Sequence, residues 1–187
     1  MPVLIRIENE QDHKAVWQVN RLAFGQDAEA CLVDALRAGG FARVSLVAEV
    51  GDQVVGHIMF SDLSVVTANG KVAALALAPI AVLPDFQRQG IGSILIRRGL
   101  EVCKDQGYRV VVVVGHPSFY PRFGFSAKLA ERLESPYGGE PSHMAMELVP
   151  GALNGVTGKV VYSPPFGNCE WGKPKALLDN AGMTDRT

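Results

Sequence analysis

The stretch Ala81-Val82-Leu83-Pro84-Asp85-Phe86-Gln87-Arg88-Gln89-Gly90-Ile91-Gly92-Ser93 decides how this chain is read. An apolar segment ending in Ile80-Ala81-Val82 runs into it, and an amphipathic helix, expected over residues 91–106, runs out of it. The join is a tight loop with two glycines and no acidic side chain after Asp85. Such a join aims several backbone N–H groups and the positive end of a helix at one spot. Phosphate binds there without special side chains. Gln87, Arg88, Gln89, Gly90, Ile91, Gly92 and Ser93 are therefore read as a pyrophosphate cradle, with glycine where a side chain would hold the ligand off.

Three loops bind phosphate in this manner. A P-loop needs a Lys-Ser/Thr pair after its second glycine, which Gly92-Ser93-Ile94 lacks. A dinucleotide fingerprint needs a third small residue where Leu95 stands, and an acid near the end of the next strand. Here that strand, residues 109–114, ends in Gly115-His116-Pro117. The third pattern is Gln/Arg-x-x-Gly-x-Gly/Ala, and Gln87-Arg88-Gln89-Gly90-Ile91-Gly92 meets it at every defined position. An ordinary strand-to-helix turn that binds nothing is the competing reading, so the surroundings decide.

The 187 residues are expected to form one domain with a substantial core, over residues 1–162, followed by a partly ordered extension over 163–187 rich in Pro, Gly and polar residues. A net charge of −1 gives no footprint for nucleic acid or an anionic membrane. The N-terminus has no apolar run behind a basic segment, so neither a signal peptide nor a membrane span is expected. Cys31, Cys103 and Cys169 are far apart and odd in number, which argues for reduced thiols in a cytoplasmic protein and against a zinc site.

Residues 3–7 alternate like an outer strand, and Asn9 with Asp12 forms a capping-box pattern before a helix that Gly25 stops. Asp27 is the expected cap of a second helix, burying Leu32, Ala35 and Leu36 and ending at Gly39-Gly40. Strands follow over 45–50 and 54–60, turning at Gly51-Asp52, then a hairpin at Asn69-Gly70 leads into a strand over 71–82. That strand is apolar on both faces and should be central; Pro79 should loosen its pairing on one side. The next helix carries a buried stripe of Gly92, Leu95, Ile96, Gly99, Leu100 and Cys103, with Arg97 and Glu101 paired on its outer face. The five valines 110–114 then read as a strand buried on both faces, completing a right-handed βαβ unit with a parallel pair. Pro117 suits the first turn of a short helix, and strands over 144–149 and 160–162 close the sheet. The fold class expected is α/β of the α+β type: a mixed, largely antiparallel sheet flanked by helices, with one parallel pair.

Strand, Gln-x-x-Gly-x-Gly loop, long helix, buried strand and then Tyr-x-x-x-Gly-Phe (here Tyr120-Pro121-Arg122-Phe123-Gly124-Phe125) is an ordered signature. In it the chain resembles the GNAT family of N-acetyltransferases. The stretch 78–125, with its Pro-x-Ala-Val-x-Pro opening and Gly-His-Pro-x-Phe-Tyr-x-Arg-Phe-Gly-Phe close, resembles the YhbS-like bacterial branch of that family.

The resemblance implies a sheet splayed open between the strand ending at Val82 and the strand ending at Val114. Acetyl-CoA would lie in the split, its pantetheine arm on the backbone of Ile80, Ala81 and Val82 and its pyrophosphate on 87–93, with charge from Arg88. It implies direct acetyl transfer to an amine of a small molecule or peptide, in which positioning contributes roughly 7–11 kcal/mol in favourable cases. A free N–H near Val82 would stabilise oxyanion charge. Tyr120 takes the family's place for the general acid, a phenol protonated at neutral pH. His116, just past the buried strand, is a candidate cofactor contact. The family's usual carboxylate on the central strand is missing, since residues 72–82 contain no acid; His57, Asp62, Glu49 and His116 are the substitutes for a base. That gap keeps a second reading open, a non-catalytic acetyl-CoA sensor or scaffold. No metal is implied, and the closing strands are candidates to pair across a homodimer.

Overall fold

The computed structural model describes residues 2–168. Strand β1 (Val3–Ile7) leads through the capping box of Asn9 and Asp12 into a short 3-10 turn and helix α1 (His13–Phe24), which Gly25 ends in the left-handed region at φ 69°. Helix α2 (Ala28–Ala38) follows, and Leu32 and Leu36 are buried as expected. Asp27 precedes it without a side-chain cap hydrogen bond; its carboxylate pairs with Arg21 at 2.9 Å instead.

Strands β2 (Ala42–Val50), β3 (Gln53–Thr67) and β4 (Gly70–Val82) form an antiparallel meander. β3 is longer than its apolar pattern suggests because two partners share one of its edges. Its first half pairs with β2 and its second half, Leu63 to Val66, pairs with the late strand β8 (Gly158–Tyr162). Helix α3 (Ile91–Asp105), strand β5 (Val110–Val114), helix α4 (Ala127–Ala130), two-residue strand β6 (Leu133–Glu134) and strand β7 (His143–Glu147) complete the body. The main sheet runs β1-β2-β3-β4-β5-β7, and only β4–β5 is parallel within that path. β8 lies between β3 and β6, so it finds its partners inside the chain. Ser163 and Phe166 pack on the domain: Ser163 Oγ donates to Asp62 O at 2.6 Å, and Phe166 in helix α5 (Pro165–Asn168) is buried. The remainder of the expected C-terminal extension lies outside the described residues.

Each face of the sheet has its own core. On one side α3 packs Leu95, Ile96, Leu100 and Cys103 against Leu46, Ile58, Phe60, Leu75 and Val113. On the other, α1 and α2 pack Val16, Leu32, Val33 and Leu36 over Val47, Met59, Ala74, Ala76 and Val112. Two expectations change in detail. Glu101 pairs with Arg98 at 3.0 Å, one helical step nearer than Arg97, whose guanidinium lies over the Phe123 ring at 5.2 Å. The short helix after β5 is a 3-10 turn over Tyr120–Phe123 with Pro121, not Pro117, in its first turn.

His57 sits fully buried between α1 and the sheet. Asn20 Nδ2 lies 3.1 Å from its Nδ1, and Ser45 Oγ lies 3.0 Å from its Nε2. Ser45 donates to Glu8, which pairs with Arg37 at 2.5 Å. With the Asn20 amide donating, Nδ1 accepts and Nε2 carries the proton. A buried polar chain thus joins α1, β3, β2 and α2. Burial, aided by the Arg37 charge, pulls the His57 pKa down from 6.5 to about 3.

Two expected outcomes follow from these contacts. The unfolded chain binds a proton at His57 below pH 6.5 that the folded chain refuses until about 3, so stability falls as the pH drops through that window. Denaturant titrations at pH 7 and pH 4.5 should show this loss in the wild type, and His57→Gln should remove most of it while being less stable at pH 7. A Cβ on Gly99 would stand 2.4 Å from the buried Phe60 ring. Gly99→Ala should therefore be a net destabilisation in urea unfolding, because overpacking costs roughly 1–3 kcal/mol and the helix-propensity gain is only about 1 kcal/mol.

Candidate active site

β4 and β5 pair at only two positions, Leu75 with Val111 and Ala76 with Val112. Beyond them the strands part. β4 continues to Val82 while still paired with β3, through Phe60–Leu77, Ile58–Ile80, His57–Ala81 and Gly56–Val82. A register shift in that ladder falls at Ala78-Pro79, where Pro79 brings no N–H. β5 continues to Val114 while still paired with β7. Two backbone edges therefore face each other across a gap, each held from behind. Leu83 N–H donates to Val55 O on the β3 side at 2.9 Å. Strand alternation then turns the amides of Val82 and Ile80 toward the gap and that of Ala81 toward β3.

The cradle stands at the end of β4. A 3-10 turn over Pro84–Phe86 redirects the chain, and Gln87 Nε2 donates back to Val82 O at 2.9 Å, tying the loop to the strand end. Gln89 Nε2 holds Asp85 O at 3.0 Å. Arg88 (φ 58°) and Gly90 (φ 85°) are both left-handed, and Arg88 is the one non-glycine among the described residues in that region. Alternating hand along a short run turns successive N–H groups to one side. The first helical bond runs from Ile94 N–H to Gly90 O at 3.1 Å, and no acid stands in the first turn of α3. The amides ahead of Ile94 thus point out of the helix end with the dipole behind them. Ile91 contributes only backbone here, since its side chain is buried against β3 beside Gly56. Gly92 and Ser93 are half-buried in the first turn, while the Arg88 side chain is exposed.

Tyr120 lies on the α3 face at the far wall of the gap. It is 5% exposed and makes edge-on ring contacts with Phe119 at 5.2 Å and Phe125 at 5.7 Å. A Cβ on Gly115 would stand 2.2 Å from the Tyr120 ring, so the glycine after β5 lets the ring lie flat against the strand end. Burial raises the phenol pKa above its ordinary value of 10, which keeps the O–H protonated at neutral pH. His116 is half-buried one residue beyond Gly115, and its carbonyl accepts from the amides of Phe119 (3.1 Å) and Tyr120 (3.4 Å). Cradle, gap and Tyr120 are thus gathered at one end of the β4–β5 pair.

Of the substitutes for a base, three are engaged elsewhere. His57 is locked in its buried chain and holds a depressed pKa. Asp62 forms a two-point pair with Arg43, Arg43 Nε to Oδ1 at 2.7 Å and Nη2 to Oδ2. Glu49 is bound by Arg6 at 2.9 Å, and Arg6 also grips Asp12. A residue that sequence reasoning passed over stands beside the end of β5. His143 opens β7 directly opposite Val114, is 5% exposed, and its buried Nε2 has no hydrogen-bond partner. The one signal in the sequence was a polar residue at the head of an apolar closing strand. No group of three or more metal-ligating side chains occurs among the described residues, and no helix there is long and apolar enough to cross a membrane.

An acetyltransferase (GNAT) domain model matches residues 5–127. The chain is 36% identical over 166 residues to the uncharacterized N-acetyltransferase YhbS of Escherichia coli K12, covering 88% of this chain and 98% of that protein. It is 37% identical over 121 residues to the uncharacterized N-acetyltransferase YjhQ of the same strain, covering 64% of this chain and 67% of that one. Among solved structures, E. coli YhbS in complex with CoA superposes with a TM-score of 0.82 at 36% identity, over 88% of this chain and 92% of that one. A GNAT family acetyltransferase from Brucella melitensis in complex with acetyl-CoA superposes with a TM-score of 0.74 at 34% identity, over 88% of this chain and 98% of that one. The splayed parallel pair, the loop before α3 and these relatives agree, and the chain belongs to the GNAT acetyltransferase family.

Proposed function

We propose that this protein is an acetyl-CoA-dependent N-acetyltransferase that moves the acetyl group directly to an amine. The observation that carries the reading is the pair of unpaired strand edges after Ala76 and Val112, opening beside a helix N-terminus that carries no acid. Bound there, acetyl-CoA supplies the activated acetyl group as a thioester. The amides of Ile80 and Val82 are turned to hydrogen-bond an extended arm as an added strand would, with Ala81 held against β3 between them. The N–H groups of 87–93 receive the pyrophosphate, and Arg88 adds a mobile positive charge at the rim. His116 lines the same end of β5 as a cofactor contact. The Val82 amide is placed to stabilise negative charge on the carbonyl oxygen. Tyr120 donates to the departing sulfur, and its raised pKa keeps that proton available.

The acceptor class is a primary amine on a small molecule or peptide. A cytoplasmic setting fits the co-substrate and the free thiols of Cys31 and Cys103. Of the outer strands of the main sheet, β1 remains as an edge on which a second copy would pair, whereas Ser126 already bridges β7 at Ala145.

Calorimetric titration with acetyl-CoA should show saturable binding, with CoA as a weaker or equal ligand and NADH inert. Gly90→Val should bind acetyl-CoA at least tenfold more weakly while remaining folded, since a β-branched residue is strained at φ 85° and must reshape the cradle. No binding to the wild type would refute the reading. Tyr120→Phe should keep acetyl-CoA affinity and lose roughly 10²–10⁴-fold in CoA release with an accepted amine. Unchanged turnover would remove Tyr120 from the chemistry, and binding without transfer to any amine would identify a sensor.

A further inference from the structure

Three buried side-chain polar atoms among the described residues lack a hydrogen-bond partner: Asn20 Oδ1, Ser61 Oγ and His143 Nε2. An unmet buried polar atom is costly and calls for a reason. Asn20 belongs to the structural chain around His57 through its other amide atom. Ser61 stands opposite Ala76, in the last row where β4 and β5 are still paired. His143 alone stands beyond that row, opposite Val114, where β5 has lost its β4 partner.

The side of the sheet matters. Met144 belongs to the core under α3, and Ala145 to the core under α1 and α2. Alternation along β7 puts His143 with Ala145, on the α1/α2 face. Tyr120 is on the α3 face, where Gly115 receives its ring. The cradle also belongs to the α3 side, so the cofactor arm and Tyr120 occupy that approach to the gap. An incoming amine is left the opposite face, the face to which His143 and its unmet nitrogen belong.

Resting on the reading that the split holds the thioester, we propose that His143 is the residue that meets the acceptor amine, with Nε2 taking a proton from its ammonium form. The proton balance is complete. The ammonium gives one proton to Nε2, and the freed nitrogen lone pair forms the C–N bond at the thioester carbon. The C–S bond breaks with its electron pair going to sulfur. Tyr120 gives its O–H proton to that sulfur, the nitrogen's second proton restores the phenol through solvent, and His143 releases its own proton to bulk water. Burial lowers the His143 pKa, so the imidazole is neutral and able to accept at pH 7.

Two probe amines of nearly equal shape test the assignment. Ethylamine is protonated at pH 7 and must shed a proton; 2,2,2-trifluoroethylamine is already neutral. CoA release is followed with both, for the wild type, His143→Gln and His143→Asn, alongside acetyl-CoA calorimetry and thermal unfolding. His143→Gln should keep acetyl-CoA affinity, lose roughly 10²–10⁴-fold in turnover with ethylamine, and lose less than about threefold with the fluorinated amine. Equal losses with both amines, or no loss with either, overturn the inference, as does a wild type that binds acetyl-CoA but acetylates neither. If His143→Gln does not fold, His143→Asn carries the same comparison. Failure of the wild type to bind acetyl-CoA is a separate result that strikes the site reading itself.

Discussion

The structure depends on one constraint: backbone polar groups that leave a sheet ladder must find another partner. β4 and β5 satisfy one another for two residues and then diverge, each backed by a neighbour that prevents collapse into the gap. β3 holds the outer edge of β4 as far as Val82, and β7 holds β5 as far as Val114. The gap persists because both walls belong to well-paired antiparallel ladders whose side chains fill two separate cores. Amides left facing it are a standing invitation to an extended, amide-bearing ligand.

Side-chain chemistry is then divided by the sheet. The α3 face carries the helix dipole and a phenol kept protonated by burial. The other face is lined by alanines at 74, 76 and 78, which let α1 lie close, and by a histidine with one unmet nitrogen at the end of the gap. Proton donation and proton removal in acyl transfer have opposite requirements, and the sheet holds this phenol and this imidazole apart on its two faces.

Much of this was legible from local chemistry. Gly90 and Gly92 before an acid-free helix start, the valine run 110–114, and Tyr120 four residues before Gly124 each carry a short-range signal. The polar partners were not legible, because they are set by tertiary distance. Arg6 and Glu49 are 43 residues apart in sequence, Arg43 and Asp62 are 19 apart, and only the folded sheet brings them together. The sequence offers Glu49, Asp62, His57 and His116 as substitutes for a base without showing that the first three are engaged, and it gives no sign that His143 Nε2 is left without a partner. The second half of β3 was missed because Asp62 and Ser64 break its apolar pattern, although β8 pairs along that stretch. Arg97 was assigned to Glu101 by spacing, yet the ring of Phe123 draws it away.

The hydrogen bond from Gln87 to the carbonyl of Val82 joins the loop that opens α3 to the strand that borders the gap. It fixes the separation between the acid-free start of α3 and the end of β4. The protein therefore carries a ruler. A carrier whose linker is shorter or longer than the span between those two points would bring its carbonyl short of the gap or past it, even with its phosphates fully seated. Under the proposed function, selection among thioesters would follow linker length as well as acyl group.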